Sequence, residues 1–110
     1  MIVEVVGGAD EVPEVRVEDV DDLSRLHLAV GGLTDEEVDS ALREAGMGRL
    51  VGADTGVLDV AALRSAAQAK ATTADWAEQF DAMVERAEGN GWAADEGTGL
   101  QVHVEPAASA

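Results

Sequence analysis

Two histidines are the only imidazoles in this 110-residue chain, and each interrupts apolar neighbours at the period of a strand: His27 between Leu26 and Leu28, His103 between Val102 and Val104. Imidazole titrates near neutral pH and ligates metals through a neutral nitrogen. If the two strands are neighbours, both rings and Glu105 project from one sheet face, where they suit metal binding or shared proton transfer. His27, His103 and Glu105 are therefore the candidate binding residues. An exposed strand face accepts histidine without any function, and two histidines with one carboxylate do not name a metal. No metal, no cofactor and no catalytic residue is expected.

The other chemical motifs have architectural explanations. Asp54-Thr55-Gly56 matches the tripeptide around an aspartic-protease carboxylate, but Gly52-Ala53 precede it and three expected helices surround it, so a turn accounts for it. Gly46, Gly48 and Gly52 follow a helix and enter a strand, the reverse of a phosphate loop, with no lysine of that type. Asp19, Asp21 and Asp22, or Asp95-Glu96, offer oxygen ligands to a hard cation without the glycine and distal glutamate of a calcium loop. None of Ser24, Ser40, Ser65 and Ser109 has a nucleophile-elbow context. Trp76 and Trp92 could flank a pocket, but Trp76 lies on an apolar helical stripe and Trp92 follows a helix stop, where it can fold back over the last turn.

Charge is the one extreme property, with 23 acids and 7 bases giving −16. Residues 1–37 hold 11 acids against Arg16 and Arg25, residues 38–70 are neutral, and residues 71–110 hold 8 acids against Arg86. Such a field repels phosphate backbones and anionic lipid, which argues against direct nucleic-acid or membrane binding and leaves a basic protein as the expected partner class. Lys70, Ile2 and Asn90 are each the sole residue of their type, a bias that high-GC coding produces by itself, and acid surfaces also serve solubility. Absence of cysteine excludes disulfides and thiolate sites. Met1 to Val5 has no basic leader region and no stretch has the length of a membrane span, so a cytoplasmic protein is expected. The favoured function is non-enzymatic protein binding through an acidic surface. The alternatives are a small metal-binding or enzymatic domain using the histidine face, and a nucleic-acid mimic that occupies a basic groove.

The elements that would position these groups follow from local pattern. Ile2–Val6 is a β-branched run closed by Gly7-Gly8, and Val15 and Val17 alternate with charge after Pro13. Residues 25–30 read as a third strand, against a rival helix capped by Asp19. Thr34 and Glu37 form a capping box for a helix with Val38, Ala41, Leu42 and Ala45 on one stripe, stopped by Gly46. Arg49–Leu58 suggests two strands around Ala53-Asp54-Thr55-Gly56, with Gly56 left-handed. Asp59 caps a helix to about Lys70, Thr72 or Thr73 opens the longest helix, and Gly89-Asn90-Gly91 ends it. Leu100, Val102 and Val104 mark a closing strand, and Pro106 begins a disordered tail. The expectation is one α+β domain over residues 1–105, a small, mostly antiparallel sheet of four to five strands with about three helices on one face.

Overall fold

The β-branched opening run forms β1 (Ile2–Val6), with Val3 and Val5 buried, and β2 (Glu14–Glu18) lies antiparallel to it with Val17 turned to the same inner face. The computed structural model describes residues 1–7, 13–23 and 26–106, apart from the Glu96 side chain. The loop expected at 8–12, Ser24, the Arg25 start of the third strand and the tail beyond Pro106 lie outside these residues. The third strand itself is β3 (His27–Gly31), and it is a strand rather than the rival helix.

Ile2 stands opposite Glu18 on one side and His27 on the other. Two successive chain reversals, β1 to β2 and β2 to β3, make β3 run parallel to β1. After β4 (Gly48–Leu50), β5 (Thr55–Asp59) and the two-residue β6 (Ala93–Ala94), the closing strand β7 (Gly99–Pro106) pairs parallel with β3 and antiparallel with β5. The order is β2-β1-β3-β7-β5-β4, with β6 also on β7. The sheet is thus mixed and seven-stranded, which corrects the expected four to five mostly antiparallel strands. Alternation marks which face of a strand is buried and carries nothing about which strand lies beside it.

Three helices complete this single α+β domain. In α1 (Asp35–Glu44) the Thr34 hydroxyl accepts from the Glu37 N–H at 3.2 Å and the Glu37 carboxylate accepts from the Thr34 N–H at 3.0 Å. Asp39 pairs with Arg43 and also accepts from the Leu50 N–H at 2.9 Å, which ties the helix to β4. Gly46, at φ +70°, closes α1 with the N–H of Met47 donating to Leu42 and that of Gly46 to Arg43, the paired bonds of a Schellman stop. Asp59 caps α2 (Val60–Gln68) through the Ala62 N–H at 2.8 Å. Lys70 lies beyond the helix end and donates to the Val17 carbonyl at 2.7 Å.

The expected cap of α3 (Trp76–Gly89) is corrected. Thr72 and Thr73 give their hydroxyl and N–H groups to Asp21, over 2.7 to 3.2 Å, and Asp75 precedes the helix without a side-chain cap bond. As a cap, a threonine hydroxyl would accept from a helix N–H; here both hydroxyls instead donate to a charged carboxylate, a charge-assisted bond. The Thr72 hydroxyl foremost, then the Thr72 N–H and the Thr73 groups, hold the Asp21 carboxyl down at about 2. Because the folded value lies below the unfolded one, the stabilisation is present above about pH 4 and is lost as pH falls through 2. In melting curves, the advantage of the wild type over Asp21→Asn should hold constant from pH 7 to about 4 and shrink toward pH 2. A difference that does not change over that acid range would refute the assignment.

Gly56 is also corrected. It lies inside β5 rather than at a left-handed turn, and a Cβ there would meet the Leu28 side chain at 3.2 Å and the Arg49 carbonyl at 3.3 Å. The helices pack on the sheet face formed by Val3, Val5, Leu28, Leu58, Leu100 and Val102. No helix among the described residues is long and apolar enough to cross a membrane.

Candidate functional site

Strand β7 has two different neighbours along one of its sides. Residues 104–106 pair with β3 and residues 99–100 with β6, so residues 101–103 have β5 on one side and no paired strand on the other. A cleft of about 520 Å³ opens at this interruption, within the range of small-molecule sites. Its apolar wall comes from Leu23, Leu26, Met83 and Leu100. Polar groups of Thr55, Asn90, Gln101 and His103 converge on the same space.

The C-terminal end of α3 supplies the remaining side. Met83 and Ala87 are buried against the sheet, while Arg86 and Asn90, one turn apart, project at the cleft margin. Past the helix, Gly91 at φ +80° permits a second Schellman stop, with the Trp92 N–H donating to Ala87 at 2.9 Å and the Gly91 N–H to Glu88 at 3.0 Å. The Trp92 carbonyl then accepts from the Gln101 N–H at 2.8 Å. These bonds fix the backbone of Trp92 beside the cleft, and its ring is 52% exposed instead of covered by the last helical turn. Trp76, by contrast, is core: its Nε1 donates to the Val20 carbonyl at 2.5 Å and its ring stacks on Phe80.

The distribution of charge singles out Arg86. Arg16 pairs with Glu14, Arg43 with Asp39 and Arg49 with Asp95, at 2.7 to 2.9 Å, while Arg64 lies 3.4 Å from Asp81 and Lys70 3.8 Å from Glu18. Among the described Arg and Lys side chains, Arg86 alone has no ion pair. Among the described residues no aspartate or glutamate lines the cleft, although the chain contains 23. Helical spacing explains the solitude, since positions 82, 83, 89 and 90 around Arg86 hold Ala, Met, Gly and Asn. A second concavity of about 400 Å³ near β4 is lined by Arg43 and Arg49, whose guanidinium groups are already committed to Asp39 and Asp95.

The histidine face is real as a face. His27 Nε2 lies 3.5 Å from Glu105 Oε2, an exposed carboxylate on the neighbouring strand. Carrying the β3–β7 register back by one residue sets His27 across from His103. His103 lines the cleft, whereas His27 and Glu105 do not. Among the described residues, no three His, Cys, Asp or Glu side chains are grouped so as to hold a metal ion. Asp54 is exposed and its carboxylate accepts from the Thr55 hydroxyl at 3.2 Å; its carbonyl receives the Val104 N–H at the end of the β5–β7 pairing, and the Thr55 carbonyl accepts from the Val51 and Gly52 N–H groups, the bonding of a turn. Asp21 and Asp95 are likewise engaged, the first by threonines and the second by Arg49 in a bidentate pair.

The fold and this cleft define the class as far as a small α+β domain with an open site against an interrupted sheet. No protein family, no characterised protein and no solved structure matches the chain.

Proposed function

We propose that this protein is a non-catalytic binding domain whose recognition site is the cleft between the end of α3 and residues 101–103 of β7. The single observation carrying this reading is Arg86, without an ion pair, on a cleft whose described lining holds no acidic side chain, in a chain whose other described arginines are paired with carboxylates. Concave shape, an apolar wall and a few convergent polar groups are the usual attributes of a ligand site. Catalysis is not part of the reading: Thr55 and His103 are cross-strand neighbours on the cleft, but the Thr55 hydroxyl donates to the Asp54 carboxylate.

A mixed set of neutral and charged small molecules, screened by amide chemical shifts, tests it. Binders should shift Trp92, Gln101 and His103 selectively, and Asn90→Trp, which fills the margin without touching the core, should abolish those shifts while keeping the melting temperature. Shifts scattered over the surface, or unchanged in Asn90→Trp, would overturn the reading.

The acidic exterior supports a second reading in which a basic protein docks on α3. Glu78, Asp81, Glu85 and Glu88 recur there at helical spacing and are exposed, and Arg64 lies near Asp81 alone. Such docking would weaken as salt screens it.

A further inference from the structure

Resting on the cleft as a binding site, we propose that its ligand is a small monoanion with a flat apolar body, an aryl carboxylate in chemical class, whose carboxylate is held by Arg86. Three observations select this class. First, Arg86 presents a planar guanidinium with no carboxylate partner, and that fork matches a carboxylate in two parallel hydrogen bonds. Asn90, one turn further along, lines the same cleft and carries an amide that can donate as well.

Second, the rest of the lining fits a flat apolar body. Leu23, Leu26 and Met83 supply aliphatic contact, and the half-exposed Trp92 ring offers a face on which an aromatic ring can stack. A volume of about 520 Å³ suits a molecule of a few fused or linked rings rather than a folded partner.

Third, the net charge of −16 limits how much negative charge the ligand can carry. One guanidinium compensates one carboxylate at contact distance. A second or third negative charge finds no further cation among the described residues of the lining and meets the repulsive field of the protein. Polyphosphates and polyanions are thus disfavoured, and the apolar body supplies the affinity that long-range attraction does not.

Calorimetric titration of the full chain at low salt with 2-naphthoate, 2-naphthamide and 2,6-naphthalenedicarboxylate, with amide shifts locating each probe, separates the terms. The monocarboxylate should bind about tenfold or more tighter than the neutral amide, the usual worth of a charge-assisted hydrogen bond, and the dicarboxylate should bind more weakly than the monocarboxylate. Arg86→Gln, on an exposed position, should keep the melting temperature and erase the preference for naphthoate over naphthamide, while Arg86→Lys should restore part of it. If naphthamide shifts the cleft residues and binds as tightly as naphthoate, the anion assignment fails and the cleft remains a binding site. If Arg86→Gln retains the preference, the assignment also fails. If none of the probes shifts Trp92, Gln101 or His103, this inference and the reading it rests on fall together.

Discussion

Phe80→Ala should remove about 3 to 5 kcal/mol of stability, the range for deleting a buried aromatic ring. Phe80 is fully buried, and its ring stacks on Trp76 with centroids 5.1 Å apart at 25°. Only three Phe or Trp residues occur in the chain, and apart from Trp76 the described core around Phe80 is Val, Leu, Met and Ala, so Trp76 is the one ring beside the vacated volume. The Trp76 indole is held separately by its bond to the Val20 carbonyl, which restrains collapse and leaves a cavity. A domain of this size has about 5 to 15 kcal/mol in total, so the variant would lose about a fifth or more of its stability. Urea denaturation should show a lower midpoint at unchanged m, and the melting temperature should fall by at least about 10 °C. A loss below about 1 kcal/mol would mean that Phe80 is not the centre of this core.

The parts of the fold readable from sequence were those specified within a few residues. The capping box at Thr34 and Glu37, the Asp59 cap, the stop at Gly46, the β-branched run of β1 and the alternation in β2 and β7 are local, and each appears in the structure. The misread features depend on distant partners. Thr72 and Thr73 carry the signature of a helix cap, but Asp21, about fifty residues earlier, takes their donors. Gly56 has turn chemistry in its neighbours Asp54 and Thr55, yet it is glycine because Leu28 and the Arg49 backbone approach it. Strand order is the largest case, since β3 is inserted between β1 and β7 by pairings that no local pattern encodes.

The cleft was hidden for the same reason. It exists because β3 and β6 cover different lengths of one side of β7, and its lining comes from four separated stretches of chain. His103 was identified from its strand phase, and Trp92 was weighed as a pocket aromatic before core packing was preferred. Arg86 shares with Arg64 the lack of an acid three or four residues away on its helix, and Arg64 nevertheless reaches Asp81 on α3. Local spacing therefore does not single out Arg86, and only the tertiary fold leaves it without an ion pair on a cavity. Its environment also bears on the acidity. Carboxylates populate both exposed helical and strand surfaces, including α1, α3 and the outer face of β2, while the described lining of the cleft is without them. An acidic exterior around a cavity whose described lining holds no acid is a more specific arrangement than a uniformly solvated surface.

Gly48→Ala is expected to be as damaging as deletion of the Phe80 ring, for a reason of backbone rather than volume. Gly48 has φ +151° and pairs with Leu58 where β4 meets β5, and an added Cβ would lie 2.0 Å from the Val57 carbonyl oxygen and 3.0 Å from the Leu58 Cα. Those obstacles are main-chain atoms of a strand that also pairs with β7, so they cannot rotate aside. Relief requires pulling β4 off β5, which would also disturb the neighbouring bond from the Asp59 N–H to the Met47 carbonyl and the Arg49 pair with Asp95. The expected loss is about 3 kcal/mol or more, in the tail reserved for strained or broken backbone. Two other glycines in the same stretch calibrate the measurement. Gly46→Ala meets no atom within 4 Å but keeps φ +70°, so it should cost about 1 to 2 kcal/mol for the left-handed conformation alone. Gly52→Ala, with ordinary φ and open space, should fall within about 0.5 kcal/mol of wild type. The ranking Gly48, Gly46, Gly52 in urea midpoints is therefore the test. A Gly48→Ala protein as stable as Gly46→Ala would show that β4 can shift without penalty, and that the α1-to-β4 junction is not fixed by this close approach.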